Sequence, residues 1–322
     1  MTNKENLLII IGPTAIGKTS VSIGLAKKLN GEIISADSMQ IYKYMDIGTA
    51  KVTPEEMEGI PHYLIDIVYP DEEYTVADYK MNAEELITDI NNRNRLPIVV
   101  GGTGLYINSL VYDLNFTQVP PNEDIRNRLE NLANKFGNEH IHKMLEEVDK
   151  ESFNRINVMD RKRIIRALEI YEVTGKPMSK QSNNFRKPID KYNLQMIGLN
   201  MDREKLYERI NLRVEKMIEA GLIEEVSNLL RMGYHKNLVS MQGIGYKEII
   251  RYLEGETSLD ESIELIKRGS RNYAKRQLTW FKRDNRIEWI NVDEFSKMDQ
   301  LIMYIVDYSE NIRRRGKNEA KY

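Results

Sequence analysis

The chain has 322 residues, 47 basic and 49 acidic side chains, a net charge of −2 and no cysteine. That length allows a large α/β core with a smaller unit attached, and the lack of cysteine excludes disulfides, thiolate nucleophiles and cysteine-bound metals, as suits a reducing cytoplasm. The near-balanced charge excludes a polycation, so any contact with nucleic acid must come from cations gathered on one surface.

The opening MTNKENLLIIIGPT holds one short apolar run that ends at a glycine, too short for a signal peptide or a membrane span. Residues 7–11 read as a buried parallel strand. Residues 19–30 place Val21, Leu25 and Leu29 at helical spacing, with Gly31 as the stop. Residues 32–36 form a second strand with Asp37 at its carboxyl end, and residues 63–68 a further one. A helix over 75–90 leads to a strand over 97–100, which closes in the turn Gly101-Gly102-Thr103-Gly104. Alternating strands and helices predict a parallel sheet covered on both faces. From Pro120 to Pro188 strand-like runs vanish, and helices over 124–136, 139–148 and 160–173 follow one another. Strands over 194–201 and 287–292 return the chain to the sheet. Between them Asp202 caps a helix running to Ala220 and stopped by Gly221, and Ser258 with Glu261 forms a capping box on a long basic helix. The fold class expected is α/β, a P-loop NTPase-like parallel sheet flanked by helices, with a helical insertion domain. Its core spans residues 1–117 and 190–310, the insertion 118–189, and a basic, disordered tail 311–322.

Gly12-Pro13-Thr14-Ala15-Ile16-Gly17-Lys18-Thr19 fits the pattern G-x-x-x-x-G-K-[ST]. Its backbone N–H groups are expected to turn inward onto phosphate oxygens, with the positive end of the next helix behind them. Lys18 would set a point charge on the terminal phosphate, and the Thr19 hydroxyl would ligate a Mg²⁺ that keeps most of its waters. Such a cradle is indifferent to what the diphosphate is attached to, so a small-molecule kinase and an RNA-binding nucleotide switch both stay open. A usual NTPase carries a strand ending in an acid, whereas the strand over 97–100 ends in glycines, and Asp37 is the nearest candidate. At a strand's carboxyl end Asp37 is suited to capping or to water-mediated Mg²⁺ binding as much as to catalysis. Thr103 is either a turn residue or a donor to the leaving oxygen. Cations concentrate at Lys267, Arg268, Arg271, Lys275, Arg276, Lys282, Arg283 and Arg286, among which Tyr273, Trp280 and Phe281 are set. A second cluster is Arg161, Lys162, Arg163 and Arg166, and the tail adds Arg313, Arg314, Arg315 and Lys317.

Ser35-Ala36-Asp37-Ser38-Met39-Gln40-Ile41-Tyr42, Met45-Asp46-Ile47-Gly48-Thr49-Ala50-Lys51 and Gly101-Gly102-Thr103-Gly104-Leu105-Tyr106 closely resemble the bacterial tRNA dimethylallyltransferases, or tRNA isopentenyltransferases. The resemblance continues through Arg163-Ile164-Ile165-Arg166-Ala167-Leu168-Glu169, Arg209, Arg213 and Gly221. It resumes at Gly243-Ile244-Gly245-Tyr246-Lys247 and Ala274-Lys275-Arg276-Gln277-Leu278-Thr279-Trp280, so that it spans residues 7–289. It implies a monomeric cytoplasmic enzyme that moves a dimethylallyl group from dimethylallyl diphosphate to the exocyclic amine of the adenosine 3′ to the anticodon in tRNA. It implies that residues 12–19 and Arg213 hold the diphosphate and that Asp37, Thr19, Arg213, Thr103 and Lys18 are catalytic, with Asp37 orienting the amine. It further implies contacts to the tRNA anticodon stem-loop from Asp37, Ser38, Met39, Gln40, Thr103, Arg126, Arg161, Lys162, Arg163, Ile164, Ile165, Gln242, Gly243, Ile244, Gly245, Tyr246 and Lys247, with Gln40 as a base reader. A transferase acting on free adenylate is the nearest alternative, though it has no need of the insertion or the basic clusters.

Overall fold

Leu7, Leu8, Ile9, Ile10 and Ile11 are all buried, which leaves no face for solvent and puts β1 (Glu5–Ile11) in the middle of a sheet. The structure, a computed structural model, describes residues 4–114, 119–181 and 187–319, with Gln181 and the last nine as backbone only. The remaining strands are β2 (Gly31–Ala36), β3 (His62–Tyr63), β4 (Leu96–Gly101), β5 (Tyr192–Asn200) and β6 (Ile287–Asn291). They pair in parallel in the order β3-β2-β4-β1-β5-β6.

Register decides where the loops emerge. Gly101 is the Cα partner of Ile11 on one side and of Ala36 on the other. Three neighbouring strands therefore end level, and the residues that follow them, Gly12, Gly102 and Asp37, leave the sheet side by side. Two inter-strand spacings set Gly12 and Asp37 about 10 Å apart. A side chain at Gly101 is impossible, because its Cβ would lie 2.1 Å from the Ala36 carbonyl oxygen.

By strand alternation Leu8 and Ile10 point to the face covered by the helices Lys18–Leu29 and Met298–Glu319, where they join Leu25, Ile302 and Ile305. The helix Val76–Asn92, opened by a Thr75–Asp78 capping box, packs on β1 and β4 through Tyr79, Ala83, Ile87 and Ile90. A second cluster forms where the helices Arg203–Glu219, Leu222–Arg231, Tyr246–Leu253 and Leu259–Phe281 meet around Val214, Val226, Tyr246 and Ile266, with Ile41 and Met45 from the loop after β2. The Glu225 carboxylate accepts the backbone N–H groups of Asp46, Ile47 and Gly48 and the Tyr246 hydroxyl, fixing residues 45–51 at the edge of the site.

The chain divides into two compact units, one of Met1–Leu110 with Asp190–Tyr322, the other Val111–Ile189. The second begins at Val111 rather than residue 118. It consists of the helices Glu123–Phe136, Asn138–Val148, Lys150–Arg155, Arg161–Thr174 and Met178–Gln181, packed around Leu129, Ile141, Leu145, Ile164 and Leu168.

Several elements differ from the sequence reading. The strand expected over 63–68 stops at Tyr63, because Leu64 and Asp66 take positive φ of 61° and 55°. The first helix ends on Asn30, left-handed at φ 51°, while Gly31 opens β2, where a Cβ would meet Ile98 Cδ1 at 2.6 Å. Ser258 accepts the Glu261 N–H, one half of the expected box. The last helix runs on to Glu319, into the stretch read as a disordered tail, and the side chains of Arg313, Arg314, Arg315 and Lys317 lie outside the described residues.

Candidate active site

Residues 12–19 turn from β1 into the helix Lys18–Leu29, with Ala15 and Gly17 at positive φ of 64° and 98°. The Lys18 ammonium donates to the carbonyls of Gly12 and Pro13, at 3.0 and 2.9 Å. Burial, then the neighbouring Arg213 charge, bring its pKa down to about 8 against the opposing pull of Asp37. Arg213, lowered by burial, donates from Nη1 to the Thr14 hydroxyl at 3.2 Å. The expectation that every loop N–H faces inward fails at Thr14, whose N–H donates to Gln277 Oε1 at 2.9 Å.

Asp37 follows β2, and its Oδ1 accepts the Met39 N–H at 2.9 Å. Thr103 Oγ1 accepts the Ser38 N–H at 3.0 Å, and the Thr103 N–H donates to Ala36, so the glycine turn and the Asp37 loop are tied together. Tyr273 stands beside them; burial, then the Asp37 charge, push its hydroxyl up to about 12.

A cavity of about 860 Å³ lies over the loop, lined among others by Lys18, Thr19, Arg209 and Arg213. A second, of about 380 Å³, is lined by Ser38, Met39, Gln242, Gly243, Ile244 and Lys247. Thr14, Ala15, Asp37, Thr49, Arg213 and Tyr273 line both. Of the residues expected to hold a diphosphate, Gly17, Lys18 and Thr19 line the first cavity but not the second, Gln242, Gly243, Ile244 and Lys247 line the second but not the first, and the Asp37 carboxylate borders both.

Several of the expected contact residues have partners within the protein. Gln40 lines the first cavity, and its amide accepts from Ser35 and donates to the carbonyls of Thr49 and Ala50, contacts that brace the loop. Tyr246 is fully buried with its hydroxyl on Glu225, and Gly245 at φ 101° opens a helix. In the helical unit Ile164 and Ile165 are core residues. Arg126 pairs with buried Glu169, Arg161 with Glu130 and two asparagines, whereas Lys162 and Arg163 are exposed. Gln277 lies in the stretch Ala274–Trp280 that carries the family resemblance, but the sequence reading gives it no role of its own.

A parallel sheet whose central strand feeds a glycine-lysine-threonine loop defines a P-loop NTPase-like α/β protein. The family model for IPP transferase matches residues 40–284, and the chain belongs to that family. It is 53% identical over 304 residues to a tRNA dimethylallyltransferase of Acetivibrio thermocellus, covering 94% of this chain and 97% of that one. The crystal structure of the full-length tRNA isopentenylpyrophosphate transferase from Bacillus halodurans is similar at 46% identity and TM-score 0.74, over 98% of this chain and 100% of that one. A eukaryotic dimethylallyltransferase acting on tRNA is similar at 30% identity and TM-score 0.80, over 95% of this chain and 80% of that one.

Proposed function

We propose that the chain transfers a dimethylallyl group from dimethylallyl diphosphate to the N6 amine of the adenosine 3′ to the anticodon in tRNA. The observation that carries this is the position of Asp37 at the junction of the two cavities. A phosphate cradle alone would serve a kinase equally well. A carboxylate between the cradle and a second chamber suits a nucleophile that arrives from the other side, and the relatives' names favour this reading over ATP-dependent phosphoryl transfer.

In this reading the allylic carbon–oxygen bond breaks as the bond from N6 to that carbon forms. Asp37 accepts an N–H of the amine, aims its lone pair, and takes the proton late, when the nitrogen has become acidic. Lys18, Arg213 and the loop amides stabilise the departing diphosphate, the electrostatic contribution of the site. Thr103, whose hydroxyl accepts the Ser38 N–H and donates to Ser38 Oγ at 3.3 Å, turns that proton to the leaving oxygen when the diphosphate is bound. Mg²⁺ fits the donor set. Thr19 offers one hydroxyl to the cavity, and no cluster of three or more His, Cys, Asp or Glu occurs among the described residues, which suits an ion bound through phosphate oxygens and water. Bound there, it would neutralise charge on the diphosphate. The RNA partner is the anticodon stem-loop, reached through the 242–247 loop and the exposed cations Lys162 and Arg163. One chain supplies every residue named, so a monomer suffices, and a cysteine-free sequence suits the cytoplasm. No helix among the described residues is long and apolar enough to cross a membrane.

The test is incubation with radiolabelled dimethylallyl diphosphate, Mg²⁺ and an unmodified anticodon stem-loop, followed by nucleoside analysis. Label on the adenosine N6 is expected, and Asp37→Ala should keep RNA binding while losing about 10³-fold in turnover. Unlabelled RNA together with consumption of ATP would return the kinase reading.

A further inference from the structure

The β1–β4 ladder ends at the pair Ile11 and Gly101, and beyond it the phosphate loop and the glycine turn continue without that ladder. Gln277 spans them. Its Oε1 accepts the Thr14 N–H at 2.9 Å and its Nε2 donates to the Gly102 carbonyl at 3.0 Å. Each end of the amide meets a partner that tolerates one orientation, a donor at Thr14 and an acceptor at Gly102, so the side chain cannot be flipped. It is 5% exposed, and no sheet contact requires a polar group there.

The helix Leu259–Phe281 is built around this contact. Tyr273, Gln277 and Trp280 lie at i, i+4 and i+7 on one face. Tyr273 lines both cavities, and the Trp280 ring lies against Gly104, where a Cβ would meet its Cδ1 at 2.4 Å. A Cβ on Gly102 would lie 2.0 Å from Gln277 Nε2, so that glycine leaves room for the amide. Thr14 is a node, with its N–H on Gln277 and its hydroxyl on Arg213 from another helix.

We propose that Gln277 is a positioning residue of the transfer reaction, because its amide clamps the phosphate loop to the turn that carries Thr103 and so sets the spacing between the leaving diphosphate and the incoming amine. The proposal rests on the proposed function. Both ends of the Gln277 amide are committed to Thr14 and Gly102, through which it acts, and its side chain borders the larger cavity. Misplacement of reacting groups by about 1 Å costs on the order of 100-fold in rate, and residues that meet only through one side chain are where such slack would arise.

The experiment compares five variants with the wild type in steady-state prenylation of an anticodon stem-loop by dimethylallyl diphosphate, with thermal unfolding and calorimetric binding of inorganic pyrophosphate with Mg²⁺ alongside. Gln277→Met, which keeps volume and removes both hydrogen bonds, should lower kcat by about 10- to 100-fold while both KM values stay within about threefold. Gln277→Glu keeps the acceptor for Thr14, loses the donor to Gly102 and adds a negative charge at the edge of the larger cavity, so kcat and pyrophosphate binding should both fall. Gly102→Ala, which displaces the amide without altering Gln277, should reproduce the kcat loss even where Gln277→Met does not fold. Adding Gln277→Ala to Gly102→Ala should cost less than the two separate losses combined, since the smaller side chain clears the clash. Variants that turn over at the wild-type rate, or whose loss follows the fraction unfolded, would overturn the role of Gln277. A wild-type chain that leaves the RNA unlabelled would instead overturn the functional reading beneath it.

Discussion

The cations of the phosphate loop and those of the helical unit differ in what they face. Lys18 donates to two carbonyls and Arg213 to a hydroxyl, and neither forms an ion pair among the described residues. In the helical unit Arg126 and Arg166 both clasp Glu169, whose side chain is 0% exposed and which also accepts the Asn122 N–H. Desolvated charge that is hydrogen-bonded only to neutral groups, with Asp37 as a non-contacting counter-charge, is costly in the free protein and is repaid by a multiply charged anion; charge matched to a buried carboxylate is already satisfied. The same residue types therefore mark a ligand site in one place and a structural joint in the other, and the partner tells them apart.

The largest separation comes from removing one member of each set. Lys18→Met should lower prenyl transfer by about 10²- to 10³-fold while leaving thermal stability equal or higher, since a poorly solvated charge is gone. Glu169→Gln should do the reverse. It strands two guanidinium groups beside a buried neutral amide, at a cost of about 2–3 kcal/mol, the low end for a broken buried pair because both arginines are about a third exposed. Its transfer rate should be unchanged where it remains folded. Denaturant melts and rate assays on the same preparations check both, and a Lys18→Met protein that unfolds more easily would erase the contrast.

A smaller effect separates the two by pH. Lys18 sits near 8 against an ordinary value of 10.5. Anion binding requires the charged form, so pyrophosphate affinity should hold below pH 8 and fall by about tenfold per pH unit above it, with one proton taken up per complex in calorimetry. In the free protein the unfolded chain binds more protons between pH 8 and 10.5, so stability attributable to this lysine rises with pH across that window, and Lys18→Met should flatten the rise. Glu169 titrates in the opposite sense. Burial raises its pKa, but the Asn122 N–H and the two arginines outweigh that and hold it below the usual range. Its contribution is present at neutral pH and disappears as pH falls through the acid range, so Glu169→Gln should lose that acid sensitivity.

These contrasts mirror what the sequence discloses. The phosphate loop is legible because its constraints sit in eight consecutive residues, from Gly12 to Thr19. Asp37 is legible as a strand end, and parallel register carries it to the edge where Gly12 and Gly102 emerge. Gln277 is not, since its meaning depends on Thr14, 263 positions away. Ile164 and Ile165 are expected at the RNA through the family resemblance alone, and helical rotation turns them into the core of their own unit. The strand expected over 63–68 breaks after Tyr63 at left-handed Leu64 and Asp66, and a leucine does not announce that conformation.

The finest test lies within the helical unit. Arg161 is bound to Glu130, Asn134 and Asn138, whereas Arg163 is 69% exposed and among the described residues its side chain pairs only with Asp160, the cap of its own helix, at 3.3 Å. An exposed i,i+3 pair of this kind contributes less than about 0.5 kcal/mol, so Arg163→Ala should leave stability within that margin. If the exposed cations of this unit meet the RNA backbone, the same substitution should reduce the slope of log affinity against log salt by about one, uniformly across stem-loop sequences. Arg161→Ala should do the converse, loosening the helices it bridges more than it alters the slope. Equal slopes for Arg163→Ala and wild type would assign that arginine to solvent, and would confine RNA electrostatics to the loop that lines the second cavity.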